Sequence, residues 1–346
     1  MAVETLGWHR GKLRIIDQTQ LPSILRYVYL DNDQQVWEAI KKLKVRGAPA
    51  IGIAAAFGVF LGVRSLEARN TGDFIKKVHN VCDYLATSRP TAVNLFWALD
   101  RQKNVAQQMP HASISEIKSA LLNEARLMVE EDNAICKAIG DAGQELLSDG
   151  QTILTHCNAG GLATASYGTA LAVVYRAIEC GKKISVYADE TRPLLQGGRL
   201  TAWELLNSGV DVTVICDNMA ATVLASGKID AVIVGADRMA ANGDFANKIG
   251  TYGLAILAKE HGVPFYTALP TSTIDMSLED GTQIPIEERD GREIGMIGAR
   301  RIAPKNCKFF NPAFDVTPNR FLSGIITEKG VITKPFAPGL KKLFKL

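Results

Sequence analysis

After Gly150 the chain settles into an alternation that sharply limits its fold: short β-branched runs, each followed by an Ala-rich or Leu-rich stretch of helical length. Runs at 152–155, 184–188, 212–215 and 231–235 precede helical patterns that reach Cys180, run through Leu205, cover 219–225 and follow Lys248. Residues 264–268 add a fifth strand. Strands buried on both faces read as unbroken apolar runs, and strand–helix alternation builds a parallel sheet covered on both sides. The expected fold is therefore α/β, with a doubly wound parallel sheet.

The first part of the chain follows a different rhythm. Val36, Ile40 and Leu43 fall at helix spacing, and helical patterns continue through the Ala-rich segment after Pro49 and over 74–86, 92–108 and 115–147, with Pro90 and Pro110 as breaks. Two short strands, 13–19 and 24–30, are separated by Gln20-Leu21-Pro22 and open the chain as a small sheet. The long helix 115–147 is the expected connector. We place the division at 1–125, a small mostly helical N-terminal domain with a short antiparallel sheet, and 126–346. The tail, with Pro304, Pro312, Pro318, Pro335 and Pro338, reads as irregular.

Composition narrows the function. Hydrophobic residues make up 47% of the 346 and charged residues 22%, so a large core is available and extensive disorder is excluded. A net charge of +3 without a long basic run argues against a nucleic-acid partner and favours a small ligand. Six cysteines fall at irregular intervals, with no C-x-x-C pair and no metal-like clustering with the five histidines, which predicts reduced thiols in a cytoplasmic protein and no metal site. Residues 1–14 lack a secretory apolar region. The apolar stretch 48–63 is short, Gly-containing and flanked by Arg46 and Arg64, so it reads as a buried helix and not as a membrane span.

Chemistry concentrates at the expected carboxyl ends of strands, where open α/β sheets bind their ligands. The run Val232-Ile233-Val234 closes in Gly235-Ala236-Asp237, which puts a carboxylate where a catalytic acid would sit. A loop with Asn242, Gly243, Asp244 and Asn247 then leads to Lys248 at a predicted helix start, a place suited to an anion. The first strand ends in His156-Cys157-Asn158-Ala159-Gly160-Gly161, a thiol followed by a Gly pair that lets backbone approach a ligand before a helix. A helix N-terminus would lower the pKa of Cys157. Adjacent strand residues point to opposite faces, so His156 reads as a packed histidine and not as the base for Cys157.

The second strand ends in Asp189-Glu190-Thr191-Arg192-Pro193-Leu194-Leu195-Gln196-Gly197-Gly198, where Gln196 is a plausible hydroxyl reader while Glu190 and Arg192 could equally form a structural pair. In the first domain Arg46-Gly47-Ala48-Pro49 offers a guanidinium beside helix N–H groups, and Arg89 a second cation. Arg46, Arg89 and Lys248 together would supply the charge to hold one phosphate. Neither G-x-G-x-x-G nor G-x-x-x-x-G-K-[ST] occurs, so a nicotinamide cofactor or nucleoside triphosphate is unsupported.

Five blocks in order carry a resemblance: Arg46 to Gly52, Ser88 to Leu95, His156 to Thr164, Asp189 to Trp203 and Gly235 to Tyr252. They resemble the methylthioribose-1-phosphate isomerases, whose family also contains the regulatory subunits of the eukaryotic initiation-factor nucleotide exchange factor. The resemblance implies a helical N-terminal domain, a Rossmann-like C-terminal domain and a homodimer. It implies Cys157 and Asp237 as the catalytic pair, with Arg46, Gly47, Ala48, Arg89, Gln196, Asn247 and Lys248 holding the substrate. The implied reaction converts 5-methylthio-α-D-ribose 1-phosphate to 5-methylthio-D-ribulose 1-phosphate in methionine salvage, without metal or organic cofactor. Asp237 would protonate the ring oxygen. Cys157 would either move the C2 proton or assist a hydride shift, and the sequence leaves both open. A ribose-1,5-bisphosphate isomerase and a non-catalytic regulatory subunit are the rival readings.

Overall fold

The segment 48–63 folds as the helix Ala48–Val63. The computed structural model, which describes residues 3–345, buries it on nearly every side. A helix without a polar face is stable in water only when surrounded, and here Asp33–Lys41, Thr71–Ala86 and Val93–Gln107 pack around it. The crossing with Val93–Gln107 is close: a Cβ on Gly52 would lie 2.6 Å from the Asn94 carbonyl oxygen, so a side chain there would force the helices apart. Phe57, Phe74, Leu85 and Leu121 fill the core. Among the described residues no helix is long and apolar enough to cross a membrane.

Local signals start these helices. Asn32 and Asn70 accept the Gln35 and Asp73 amide N–H groups, and Ser113 exchanges hydrogen bonds with Glu116 in a capping box. The opening sheet has three antiparallel strands, Leu6–His9, Lys12–Ile16 and Tyr27–Leu30. The first was not expected. Its Leu-Gly-Trp-His sequence is short and lacks β-branched residues, yet Trp8 stacks on Phe57 with ring centroids 5.4 Å apart.

The main sheet has seven strands in the order Gly330–Ile332, Gly324–Thr327, Phe265–Ala268, Ala231–Val234, Thr152–Thr155, Ser185–Asp189, Asp211–Ile215. All pairings are parallel except that of the first two, a terminal hairpin. Counted along the chain, the six parallel strands lie 3-2-1-4-5-6 when read from Asp211–Ile215, the doubly wound order whose direction of winding reverses between its first and fourth strands. The five expected strands are all present within a residue or two of their predicted bounds.

The tail corrects the expectation of irregular structure: Gly324–Thr327 and Gly330–Ile332 complete the main sheet, and Phe314–Thr317 joins a second one. That second sheet, ordered Ile274–Asp275, Arg238–Ala240, Phe245–Lys248, Phe314–Thr317, also takes in residues expected to form a loop. Asn242, Gly243 and Asp244 turn its hairpin. The Asp244 carboxylate accepts the Asn319 N–H at 2.7 Å and the Gly281 N–H at 3.1 Å, fastening the turn to two later segments.

The chain divides into two compact units. One holds the chain up to Cys136 together with Gly160–Gly168; the other holds Lys137–Ala159 and the chain from Thr169 onward. The changeover at Cys136 lies inside the long helix Ile114–Gln144.

In the first unit, residues 160–168 are held by backbone-directed bonds. Thr5 Oγ1 donates to the Gly161 carbonyl at 2.6 Å, Gln18 Nε2 to the Leu162 carbonyl at 2.7 Å, and the Ala165 N–H to Asp132 at 2.7 Å. Burial pushes the Asp132 carboxyl up to about 7, against the opposing Ala165 N–H and the neighbouring Cys136 thiol. Between the ordinary aspartate value near 3.9 and this raised one, the folded chain holds a proton that the unfolded chain releases, so stability falls as pH rises through that window. Asp132→Asn keeps an acceptor for Ala165 and removes the ionisation. The variant should lose most of the stability difference between pH 4.5 and 7.5 that this group contributes, on the order of a few kcal/mol, in urea unfolding at the two pH values. An unchanged pH slope would count against it.

Candidate active site

The strands on either side of the winding reversal are Thr152–Thr155 and Ala231–Val234, paired through Ile153 with Ala231 and Leu154 with Val232. Cys157 lies two residues beyond the first and Asp237 three beyond the second. The two turns pass close together: a Cβ on Gly235 would lie 2.7 Å from the Ala159 Cβ. Thr155 Oγ1 donates to the Ile233 carbonyl at 2.8 Å, and Thr267 Oγ1 to the Gly235 carbonyl at 3.1 Å. At such a reversal neighbouring loops diverge and leave a crevice, the usual ligand position in this architecture.

Cys157 is held in an unusual conformation. Its φ is +64°, left-handed for a residue with a side chain, and it is 8% exposed. Three bonds fix it: its N–H donates to Thr191 Oγ1 at 2.8 Å, its carbonyl accepts from Thr201 Oγ1 at 2.6 Å, and its Sγ donates to Gln196 Oε1 at 3.3 Å. Thr191 itself has φ +63°, a rare state for a β-branched side chain. It is secured by Asp217, whose carboxylate accepts the Thr191 and Arg192 N–H groups, both at 2.7 Å. Backbone strain of this kind costs about 1–3 kcal/mol per residue and collects at functional sites. Beside it, buried Asn158 donates to Thr201 Oγ1 and Glu204 Oε2, each at 3.1 Å.

Thr191, Thr201, Asp217 and Glu204 were not singled out in the sequence. The one available signal was Glu204, a carboxylate in the otherwise apolar run Ala202-Trp203-Glu204-Leu205-Leu206.

Gly161 and Gly197 are tightly packed. A Cβ on Gly197 would lie 1.7 Å from the Asp189 carbonyl oxygen, and one on Gly161 2.2 Å from the Ser166 carbonyl oxygen. Both glycines admit the chain's own backbone. The helix expected directly after Gly161 is a single 3-10 turn, Gly161–Ala163, and the first full helix is Ala170–Glu179. No adjoining helix N-terminus therefore follows from the chain order at Cys157.

Asp237 is half-buried, and its N–H donates to the Ala246 carbonyl at 2.9 Å, which ties it to the strand carrying Asn247 and Lys248. These two residues lie on Phe245–Lys248, not in a loop, and the helix Thr251–Glu260 begins three residues after Lys248. Asn247 Nδ2 donates to Thr251 Oγ1 at 2.9 Å, and Lys248 Nζ donates to the Ala313 carbonyl at 2.9 Å while lying 4.7 Å from the centre of the Phe314 ring. Cys157, Gln196, Asp237, Asn247 and Lys248 all belong to the sheet-bearing unit.

Arg46, Gly47, Ala48 and Arg89 belong to the other unit. Gly47 precedes the helix Ala48–Val63 with φ +91° and no side-chain cap, and Pro49 occupies its first turn. A Cβ on Gly47 would lie 2.4 Å from the Ala163 Cα. Arg46 is buried and donates through Nε to Gln18 at 3.1 Å. Arg89 lies in the turn before Val93–Gln107, whose first turn meets Gly52, so both arginines are near neighbouring helix starts.

His156 is fully enclosed. Its Nδ1 lies 2.9 Å from Asp189 Oδ2 and its Nε2 2.8 Å from the Ile249 carbonyl. Burial opposes a charged ring, but the bond to Asp189 and the Ile249 carbonyl outweigh it and hold its pKa above the ordinary histidine value. With both nitrogens engaged, it offers no base to Cys157. His156, Asp189 and Asp217 are one group among the described residues whose ligand atoms approach within 4.8 Å. The Asp217 carboxylate is engaged by the Thr191 and Arg192 N–H groups and both ring nitrogens of His156 by Asp189 and the Ile249 carbonyl, so the group fits a hydrogen-bonded set better than a metal site.

The fold and these side chains define an α/β protein with a thiol and a carboxyl group following the two strands at the winding reversal of a doubly wound sheet. The chain belongs to the initiation factor 2 subunit family, which matches residues 44–334. It is 55% identical over 345 residues to a methylthioribose-1-phosphate isomerase of Geobacter metallireducens, covering 100% of both chains. It is 54% identical over 341 residues to a 5-deoxyribose 1-phosphate isomerase of Moorella thermoacetica, covering 99% of this chain and 97% of the relative. Among solved structures it resembles 5-methylthioribose 1-phosphate isomerase from Pyrococcus horikoshii, with 46% identity, TM-score 0.92 and coverage of 99% and 96%. It also resembles a structure described as translation initiation factor eIF-2B, subunit delta, from A. fulgidus, with 45% identity, TM-score 0.89 and coverage of 99% and 100%.

Proposed function

We propose that the protein is a cytoplasmic, homodimeric aldose–ketose isomerase acting on 5-methylthio-α-D-ribose 1-phosphate, with Cys157 and Asp237 as its catalytic residues. What supports this most is the position of these two side chains after neighbouring strands at the winding reversal. The names of the relatives support a sugar 1-phosphate as the substrate class.

The chemistry sets demands that these residues can meet. Phosphate on C1 blocks spontaneous ring opening, so the ring oxygen must be protonated as the C1–O4 bond breaks. Asp237 donates that proton, which requires a carboxyl kept protonated by desolvation around the bound sugar. Hydrogen then passes from C2 to C1. In one route Cys157 as thiolate takes the C2 proton, giving a C1–C2 enol, and returns it to C1. In the other the hydrogen moves directly as hydride to the electron-poor C1. In both, the C2 hydroxyl gives up its proton as the C2 carbonyl forms, and the Asp237 carboxylate accepts it.

Gln196 suits a sulfur that changes charge. Its amide accepts from the thiol through Oε1, and turning it presents Nε2–H to a thiolate. Arg46, Arg89 and Lys248 supply cations for the phosphate, the helix start at Gly47 and Ala48 supplies N–H groups, and Asn247 supplies an amide.

A second reading, 5-deoxyribose 1-phosphate as substrate, is favoured by the Moorella relative. The ring chemistry is the same and only the methylthio group is missing. One methylene in an apolar pocket is worth about 1–3 kcal/mol, or roughly 10–200-fold in kcat/KM, and we take that as the scale for the methylthio group.

Turnover of the two sugars and of ribose 1,5-bisphosphate by the purified protein tests the assignment. We expect the methylthio sugar to be preferred within that range and the bisphosphate to be poorest; turnover of none would remove the isomerase reading. Asp237→Asn should lower kcat by at least about 1,000-fold with substrate still bound, as expected for a lost general acid and electrostatic partner. Near wild-type kcat in the variant would exclude Asp237 as the acid. In deuterated water, label appearing at C1 of the ketose would exclude a direct hydride shift, which leaves none.

A further inference from the structure

We infer that His156 is a positioning residue of the site: a buried, two-sided clamp that fixes the turn after Asn247 and Lys248 against the end of the Cys157 strand. The clamp rests on the geometry below, and only its kinetic consequence rests on the isomerase reading.

Both partners of the ring are acceptors. The Ile249 carbonyl carries no proton, so Nε2 must donate across its 2.8 Å contact. The second proton lies between Nδ1 and Asp189 Oδ2 at 2.9 Å, and on either atom it leaves Nε2 as the donor. Asp189 depends on this contact. It is 2% exposed, burial raises its carboxyl pKa against the pull of His156, and its Oδ1 is buried without a partner. The charged groups acting on the ring are the carboxylates of Asp189 and Asp217, and His156 in turn lowers the carboxyl pKa of Asp315, which burial raises.

The turn is shaped to receive the ring. Gly250 has φ +105°, and a Cβ there would lie 2.9 Å from His156 Cε1. From its other side Asp315 grips the same turn, accepting the Gly250 N–H at 2.8 Å and the Tyr252 N–H at 3.1 Å. Asp315 is also the register partner of Asn247. One imidazole thus joins the strand end next to Cys157, the strand end that leads to Gln196, and the residue next to Lys248. Those connections span 33 and 93 positions of sequence. Releasing the Ile249 carbonyl would let Lys248 and Asn247 drift from the sulfur with no reacting group removed.

His156→Gln, Asp189→Asn and a long-range proton–nitrogen spectrum of the wild-type histidines test this. In the wild type the His156 Nε2 should carry its proton throughout pH 6–9. In Asp189→Asn it should remain protonated while the ring loses its second proton at lower pH. His156→Gln should lower kcat/KM for 5-methylthioribose 1-phosphate about 100-fold, the cost of a roughly 1 Å misplacement, with KM bearing the larger share. Amide exchange should rise at 249–252 and not across the main sheet.

A bare Nε2 in the wild type would overturn the clamp, as would a His156→Gln enzyme within threefold of wild type or one losing kcat at constant KM. If His156→Gln does not fold, the wild-type and Asp189→Asn spectra still decide. If the wild type turns over no sugar phosphate, the isomerase reading fails, while the spectra and the exchange measurement continue to judge the clamp.

Discussion

The chemistry of the sheet-bearing unit depends on the pairing of Thr152–Thr155 with Ala231–Val234, two strands far apart in the chain. Every other parallel neighbour is the next strand of this same sheet in chain order. This pair alone joins the two halves of the winding, so the loops that follow must lead away in opposite directions. The cost of closing so long a loop is offset by burying strands such as Ile153, Leu154 and Val232, which are fully enclosed. A thiol and a carboxyl group follow the two strands of that junction, at the point where the winding reverses.

The junction is stiffened by backbone the chain would not adopt locally. Cys157 and Thr191 both sit at positive φ, and they are bonded to each other, N–H to Oγ1. Neither state would persist alone, since each costs about 1–3 kcal/mol. Asp217 holds the Thr191 end, Thr201 holds the Cys157 carbonyl, and Asp189 anchors His156, the residue before Cys157. The strain is sustained by a surplus of hydrogen bonds, and it presents the sulfur in one orientation toward Gln196.

Much of this was legible from the sequence, for reasons that differ along the chain. The parallel strands were readable because each is a dense apolar run bounded by turn residues, and the positions of Cys157 and Asp237 after strand ends because they follow those runs directly. The strand Phe245–Lys248 was hidden, since it pairs outside the main sheet and its sequence, Phe-Ala-Asn-Lys, shows no apolar–polar alternation. The tail strand Gly324–Thr327 had a clear apolar run, Ile325-Ile326, but the surrounding prolines suggested irregularity. Gly161 looked like an opening for a ligand, whereas its close neighbour is a carbonyl oxygen that only the folded chain brings there. The role of His156 was unreadable for the same reason, because its partners are distant in sequence.

Backbone similarity alone does not distinguish an isomerase from an initiation-factor subunit, since neighbours described in both ways superpose on this chain with TM-scores of 0.92 and 0.89. The distinction must come from side chains and from what the chain spends to place them. A surface that only docks a partner has no need of an enclosed thiol in left-handed backbone, nor of a polar cluster around it that an apolar core would replace at lower cost. Burying Asp189, His156, Asn158 and Glu204 together is justified only if their fixed geometry matters. That geometry ends at Cys157, which favours catalysis over docking as the property the fold is built to hold.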